Sequence, residues 1–174
     1  MSLTSRIIKD RRSIRKFKEN SQVSKEQIHA LLEAGMMAPS ACNSRPWRFL
    51  VITNRELLDK VAECHRFAKM LQQVSVAIVI VALAEEQSEN EIARGFFPQD
   101  CGAATQNILL QAQEMGLGTC WCGAYPKEHI VASFREILSL PEDETPMCVI
   151  AVGEADEAPQ ARGFYDAEKV RYLN

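Results

Sequence analysis

Three arginines and a serine lie within five residues near the start of the chain, in the stretch DRRSIRKF at residues 10–17. The arginines are Arg11, Arg12 and Arg15, and Ser13 stands between them. A phosphate group is bound best by paired guanidinium contacts together with a hydroxyl or a backbone N–H. This stretch offers all of these groups. A solvated basic surface is the alternative, and from this stretch alone the two interpretations stay equally open.

A second stretch, MMAPSACNSRPW at residues 36–47, connects a predicted helix to a predicted strand. Its Ser40 and Asn43 offer a hydroxyl and an amide that could bind the polar edge of a ring-shaped ligand. Prolines, serines and asparagines are also the usual residues of an ordinary connecting loop. The second stretch is therefore a candidate binding loop only in combination with the others.

A third stretch covers residues 99–125, QDCGAATQNILLQAQEMGLGTCWCGAY. Small residues at its start allow a partner to approach the backbone closely, although tight packing of a core helix would favour the same residues. The segment GLGTCWCG lacks the GxGxxG spacing of a dinucleotide-binding turn and leads into a strand. It does provide accessible backbone N–H groups around Cys122 and Gly123.

The sequence shows no set of residues for nucleophilic or metal catalysis. His29, His65 and His129 fall on predicted helices, where they are expected on polar faces. Cys120 and Cys122 are separated by one residue, closer than the usual spacing of zinc ligands. Binding groups without a nucleophile, a general base or a metal site are typical of a protein whose chemistry belongs to a bound cofactor.

Composition narrows the class of protein. The 174 residues, 47% of them apolar, suffice for one domain with a substantial core. A formal charge of −3 argues against a nucleic-acid binder with a wholly basic surface. The first 20 residues lack an apolar leader, so we expect a cytoplasmic protein with six reduced cysteines. The longest apolar run, Val74–Ala84, is shorter than the ~20 residues that span a bilayer.

Capping signals and hydrophobic periodicity predict the elements that position these stretches. The first predicted helix runs from Thr4 or Ser5 to Arg12, with Ile7 and Ile8 facing inward. The second begins at a capping box at Ser24–Gln27 and is stopped by Pro39, and the third begins after the N-cap Asn54. The last two run from Pro98 to Met115 and from about Pro126 to Leu138. The predicted strands cover residues 47–53, 74–84, 118–122 and 147–153, and the second of them is expected to be buried on both faces.

In this order, the three stretches and PQAR at residues 159–162 resemble the nitroreductase family of FMN-dependent NAD(P)H oxidoreductases. The resemblance covers nearly the whole chain. It implies an α+β fold, an α/β/α sandwich with a mixed or antiparallel central sheet, in an intertwined homodimer. Residues 1–174 would form one FMN-binding domain. Residues 154–174 would form an arm on the partner subunit, which would explain the apolar side chains of a tail that has no visible partner within the chain.

The resemblance also implies a mechanism and a site. NAD(P)H would pass a hydride to N5 of a tightly but non-covalently bound FMN, and a nitroaromatic or quinone would then be reduced in a second half-reaction. No side chain would be catalytic, because a backbone N–H near Cys122 would support N5. The implied FMN contacts are Arg11, Arg12, Ser13, Arg15, Pro39, Ser40, Ala41, Asn43, Lys69, Cys120, Trp121, Cys122, Gly123 and Arg162, with no metal.

Within this set, the arginines would contact the phosphate, and Arg162 would complete the phosphate site. The loop with Ser40 would come from the other subunit, and Lys69 would lie near the N1/O2 edge of the flavin. Two features depart from the family: Arg45 stands where glutamine is common, and residues 85–97 leave little room for a lid. The alternatives are a non-enzymatic flavin sensor, or specialised chemistry such as reductive dehalogenation or flavin breakdown.

Overall fold

The computed structural model of the protein describes residues 1–83, 91–160 and 163–173. Within these residues the chain forms five α-helices and four β-strands. The helices are α1 (Leu3–Asp10), α2 (Lys25–Met36), α3 (Arg55–Cys64), α4 (Phe97–Glu114) and α5 (Glu128–Leu138). The strands are β1 (Trp47–Ile52), β2 (Val76–Leu83), β3 (Gly118–Gly123) and β4 (Glu144–Gly153). Short 3₁₀ turns occur at Ala41–Asn43, Lys69–Gln72, Glu91–Ala93 and Ala167–Lys169.

The four strands form one antiparallel sheet in the order β1-β2-β4-β3. The apolar strand β2 lies inside the sheet, and the glycine-rich strand β3 lies at one edge. One isolated bridge joins Ser13 in parallel to Thr119 of β3, and a second joins Phe17 to Ala155 beyond β4. The basic segment at residues 10–17 is therefore held beside the edge strand.

Helices cover both faces of the sheet. On one face, Val79 of β2 belongs to a buried cluster with Val61 of α3 and Phe134 of α5. On the other face, Ile78 belongs to a cluster with Ile108 of α4 and Leu31 of α2. Successive strand residues point to opposite faces, so an uninterrupted apolar strand such as β2 fits between two helical layers. The predicted α+β sandwich and the doubly buried strand are confirmed.

Most element ends agree with the capping signals. Ser24 and Gln27 form the predicted capping box of α2, and the Asn54 side chain accepts the N–H of Leu57 at the start of α3. Gly116, with a φ of 74°, follows α4, as expected for a glycine that ends a helix. Each helix in the described residues is too short or too polar to cross a lipid bilayer.

The first helix differs from its prediction. Ser2 rather than Thr4 or Ser5 is its N-cap, and the helix ends at Asp10, before the arginines. Ile8 is 55% exposed, so the expectation that it faces inward was wrong. None of the residues of α1 is fully buried.

The last strand and helix also shift. β4 begins at Glu144, three residues before the predicted start, because Glu144–Pro146 continue the ladder with β2. A register shift opposite Pro146 accommodates it, since proline is tolerated in a sheet mainly at bulges and edges. Glu144 is buried, and its Oε1 forms an ion pair with Nη1 of Arg48 at 2.7 Å. The fifth helix begins at Glu128, two residues later than predicted.

Candidate functional site

A groove of about 760 Å³ lies between the basic segment and the C-terminal arm. Arg11, Arg12, Ser13 and Arg15 all line it, so the structure brings together the four residues that the sequence nominated on this segment. The opposite wall includes Pro159, Gln160, Phe164 and Tyr165.

Buried apolar residues fix the basic segment in place. Ile14 and Phe17 are 7% and 4% exposed, whereas Arg15 between them faces solvent. The Ile14 N–H donates to the carbonyl of Thr119 at 2.8 Å. A side chain at Gly118 would lie only 3.1 Å from three atoms of Ile14, so glycine allows this close approach. The arginines are thus presented from a backbone that is attached to β3.

The three arginines are not equivalent. Arg12 donates from Nη1 to the carbonyls of Lys9 and Arg11, both at 2.6 Å, and from Nε to the carbonyl of Gln160 at 3.2 Å. Three of its five N–H groups are therefore used by the chain's own backbone. Among the described residues, the Arg15 side chain makes only a long 3.4 Å hydrogen bond to the Ser13 carbonyl. Arg12 shapes the groove, whereas Arg15 keeps its donors available to a ligand.

Glu157 is a second anchor, which the sequence analysis missed. One of its carboxylate oxygens accepts the backbone N–H groups of both Arg15 and Lys16. This oxygen holds the segment that presents Arg15 beside β3. The neighbouring Cys122 side chain and the positive charges of Arg15 and Arg11 lower the pKa of Cys120, against the opposing effects of burial and of Glu157. The positive charges of Arg15 and Arg11 therefore favour negative charge at Cys120 in β3.

The free edge of β3 lies next to this segment. Thr119 directs its carbonyl to Ile14, away from β4, whereas the Ala124 N–H donates to the carbonyl of Met147 in β4. Backbone groups of successive residues in a strand point to alternate sides. The N–H of Gly123 therefore faces the free edge, and that of Cys122 faces β4. Of Cys122 and Gly123, around which accessible N–H groups were predicted, it is Gly123 that directs its N–H to the free edge.

The turn that carries Lys69 packs against the same strand end. The Cys122 sulphur donates to the Phe67 carbonyl at 3.2 Å and lies 3.9 Å from the sulphur of Met70. Lys69 is exposed at the first position of the 3₁₀ turn Lys69–Gln72. The structure thus packs the turn that carries Lys69 against Cys122 of β3.

The prediction for His65 was wrong. It follows the last residue of α3 rather than lying on a polar helix face, and it is only 2% exposed. Its Nε2 lies 2.8 Å from the carbonyl of Gly123, and its Nδ1 accepts the Phe67 N–H at 3.2 Å. A nitrogen that accepts carries no proton, so Nε2 is the donor to Gly123.

The loop with Pro39, Ser40, Ala41 and Asn43 does not line the groove of its own chain. It forms the 3₁₀ turn Ala41–Asn43, and its backbone is unusual, because Cys42, Asn43 and Arg45 have φ angles of 49°, 55° and 49°. Left-handed conformations are unfavourable for residues with a side chain, and runs of them concentrate at functional sites.

Arg45, the residue that departs from the family pattern, holds this loop together. Its Nε donates to the Asn43 side-chain oxygen at 3.0 Å, and its N–H donates to the Ser40 hydroxyl at 2.9 Å. Arg45 is exposed. Its side chain therefore has a structural partner in the loop, and the Asn43 amide keeps its nitrogen for other contacts.

Asp100 attaches the loop to α4. It is 6% exposed, and its Oδ1 accepts the Ala41 N–H at 3.0 Å, across 59 residues of sequence. Its Oδ2 is buried without a hydrogen-bond partner in the described residues. A buried acceptor that binds a strained loop from outside is well placed to keep the loop in its observed conformation.

Replacement of Asp100 by alanine is expected to release the loop. We expect the free energy of unfolding to fall by about 1–3 kcal/mol, the cost of leaving the part-buried Ala41 N–H without its acceptor, measured by urea unfolding. Thermolysin should cleave within residues 39–45 faster than in the wild-type protein. Asp100→Asn keeps an acceptor oxygen and serves as the control. Equal cleavage of Asp100→Ala and wild-type protein would contradict the assignment.

Some of the nominated features lie outside the described residues. Arg162 is one of them, and so are residues 85–90 of the short segment before α4. The described residues contain no group of three histidine, cysteine, aspartate or glutamate side chains that could hold a metal ion.

Comparison with known proteins places this geometry in a family. The sequence profile described as "Nitroreductase family" matches residues 8–75 and 63–154. A Methanothermobacter thermautotrophicus protein with the provisional name NADH dehydrogenase/NAD(P)H nitroreductase is 42% identical over 163 residues, which cover 94% of this chain and 83% of that protein.

Solved structures agree. A Parabacteroides distasonis protein with the same provisional name superposes with a TM-score of 0.91 at 36% identity, over 100% of this chain and 99% of that one. A Clostridium difficile protein named FMN-dependent nitroreductase superposes with a TM-score of 0.85 at 32% identity, over 97% of this chain and 98% of that one.

Proposed function

The chain belongs to the nitroreductase family, and on this premise we propose that it is an FMN-dependent oxidoreductase that uses NAD(P)H to reduce a small electron acceptor. The observation that carries the proposal is the groove in which Arg11, Arg12, Ser13 and Arg15 converge. Its volume of about 760 Å³ is that of a small-molecule or cofactor site. Guanidinium groups and a hydroxyl suit the phosphate of FMN, and the FMN-dependent Clostridium difficile relative supports this choice of cofactor.

The chain's own residues would bind and orient the cofactor. Bound FMN supplies the redox chemistry, because it accepts a hydride from NAD(P)H and delivers electrons to a second substrate. Arg11 and Arg15 would hold the phosphate end, with Arg162 completing this site. The outward N–H of Gly123 would donate to N5. The positive charge of Lys69 would stabilise negative charge that develops at the opposite edge of the ring.

The remaining contacts would come from a second copy of the chain. The loop with Pro39, Ser40, Ala41 and Asn43 lies outside the groove of its own chain, although its backbone is held in a strained and specific conformation. Phe164, Tyr172 and Leu173 of the C-terminal arm are at least 80% exposed. Such a series of exposed apolar side chains marks an interaction surface. A homodimer of single FMN-binding domains, residues 1–174 each, would use both the loop and the arm.

Spectroscopy of the purified protein tests this function. We expect a yellow protein with the absorption of oxidised flavin, or a colourless one that becomes yellow on reconstitution with FMN. NADH or NADPH, added separately under nitrogen, should bleach the colour. Addition of a quinone or a nitroaromatic should then restore the colour. If the two half-reactions alternate, double-reciprocal plots of the initial rates should give parallel lines.

The possible outcomes separate the proposals. A protein that stays yellow with both nicotinamides would instead be a flavin-binding sensor. A colourless protein that cannot be reconstituted with FMN would refute the cofactor assignment. Intersecting initial-rate lines would retain the oxidoreductase and reject the alternating mechanism.

A further inference from the structure

His65 is a buried polar residue that the proposed chemistry does not use. It is 2% exposed and packs against Phe134, with the two ring centroids 6.1 Å apart. Phe134 is itself fully buried. A histidine in such surroundings must bind through both nitrogens, because a buried polar atom without a partner is unfavourable.

Both ring nitrogens are indeed used, and they reach two different segments. Nε2 donates to the carbonyl of Gly123, at the last position of β3. Nδ1 accepts the N–H of Phe67, in the turn that leads to Lys69. The carbonyl of Phe67 in turn accepts the thiol of Cys122. The ring therefore bridges the strand end and the Lys69 turn. The Cys122–Phe67 hydrogen bond joins the same two segments directly.

The position of Gly123 gives this bridge its importance. Gly123 ends the ladder with β4, and a strand end at a sheet edge frays unless other contacts hold it. Its carbonyl points away from β4 by the same alternation that turns its N–H to the free edge. The His65 bond is therefore a constraint on this outward side of Gly123 that the β3–β4 ladder does not supply.

We propose that His65 is the positioning residue of the flavin site: its two hydrogen bonds fix the Gly123 N–H and the Lys69 turn relative to each other. The hydrogen bonds of the bridge are seen in the structure, whereas the effect of the bridge on the flavin rests on the proposed function. Loss of the bridge would leave the Cys122–Phe67 hydrogen bond as the link between the strand end and the Lys69 turn, and the position of the N5 donor relative to the cation would loosen.

Four variants separate positioning from packing. His65→Phe keeps an aromatic ring against Phe134 and removes both hydrogen bonds. His65→Gln keeps a nitrogen donor for Gly123, and His65→Asn keeps an acceptor for the Phe67 N–H. Phe134→Leu is the matched control, because it disturbs the packing around the ring and leaves both hydrogen bonds in place.

The first measurement needs no cofactor. In the FMN-free full chain, we expect His65→Phe to increase amide hydrogen exchange at Cys122 and Ala124 about tenfold, the factor that corresponds to about 1.4 kcal/mol of lost local stability. His65→Gln should restore most of the protection, and His65→Asn should not. Phe134→Leu should lower the thermal unfolding temperature without selective exchange at the strand end.

The second measurement uses the FMN-loaded protein. We expect His65→Phe to slow flavin reduction by NAD(P)H about tenfold and to lower the midpoint potential of the flavin, while Phe134→Leu at a temperature where it is folded changes neither. Equal exchange profiles for His65→Phe and Phe134→Leu, or a His65→Gln variant that behaves like His65→Phe, would overturn the inference. Failure of the wild-type protein to bind FMN would refute the proposed function and leave the exchange result to decide the bridge.

Discussion

The Arg11→Ala/Arg15→Ala double variant is expected to bind FMN about 10²- to 10⁴-fold more weakly than the wild-type protein. Each charge-assisted hydrogen bond to a phosphate contributes about 1.5–3 kcal/mol, so loss of two amounts to about 3–6 kcal/mol. The free energy of unfolding of the FMN-free protein should change by less than about 0.5 kcal/mol, because the Arg15 side chain is exposed and makes one long backbone contact within the described residues. Fluorescence titration of FMN into apoprotein measures the affinity.

A matched control is available on the same segment. Lys16→Ala/Lys18→Ala removes the same charge, but neither lysine lines the groove, and Lys18 pairs at the surface with Glu154. This control should weaken FMN binding by less than about threefold at 0.15 M salt, where exposed charges are screened. If both double variants lose affinity equally, the basic segment acts only through its overall charge and the groove does not bind the phosphate.

Arg12 should behave differently from its neighbours. Its guanidinium donates to three backbone carbonyls, at Lys9, Arg11 and Gln160, so its replacement would disturb the segment as well as the ligand contact. The sequence could not distinguish Arg12 from Arg11 and Arg15, because the carbonyl of Gln160 is 148 residues away along the chain. Motif and spacing identified the cluster, and only the fold assigned a separate role to each member.

Local sequence signals were sufficient to predict the elements whose stabilising contacts lie within a few residues. The capping box at Ser24 and the unbroken apolar run of β2 predicted their elements because hydrogen-bonding partners and periodicity lie within a few residues. β4 was predicted to start late, since Pro146 is normally a sign of a loop and is allowed here by a bulge against β2.

The anchors of the site were missed for the opposite reason. Asp100 binds Ala41 across 59 residues, Glu157 binds the Arg15 N–H across 142, and His65 binds Gly123 across 58. None of these three side chains belongs to a recognisable pattern with its partner. Residues that would touch the cofactor could be read from motifs, whereas residues that hold those contacts in place depend on the tertiary fold.

Removal of two apolar side chains from the end of the arm is expected to dissociate the proposed dimer. Tyr172 and Leu173 are 82% and 80% exposed in the isolated chain, and burial of such side chains contributes about 1.5–3 kcal/mol each. Tyr172→Ala/Leu173→Ala should therefore raise the dimer dissociation constant at least about 10²-fold, which corresponds to about 3 kcal/mol. Sedimentation equilibrium over a range of protein concentrations measures the change.

FMN affinity should fall with the dimer, because the loop with Ser40 and Asn43 would then be withdrawn from each site. Glu168→Ala/Lys169→Ala is the control on the same arm, since both residues are exposed and Lys169 pairs with Asp166 at the surface. It should leave assembly and FMN binding unchanged. A monomeric wild-type protein that binds FMN tightly would refute the shared site, and its groove would then have to supply every contact from one chain. A dimer that survives the double substitution would instead place the interface elsewhere on the surface and leave the arm without a role in assembly.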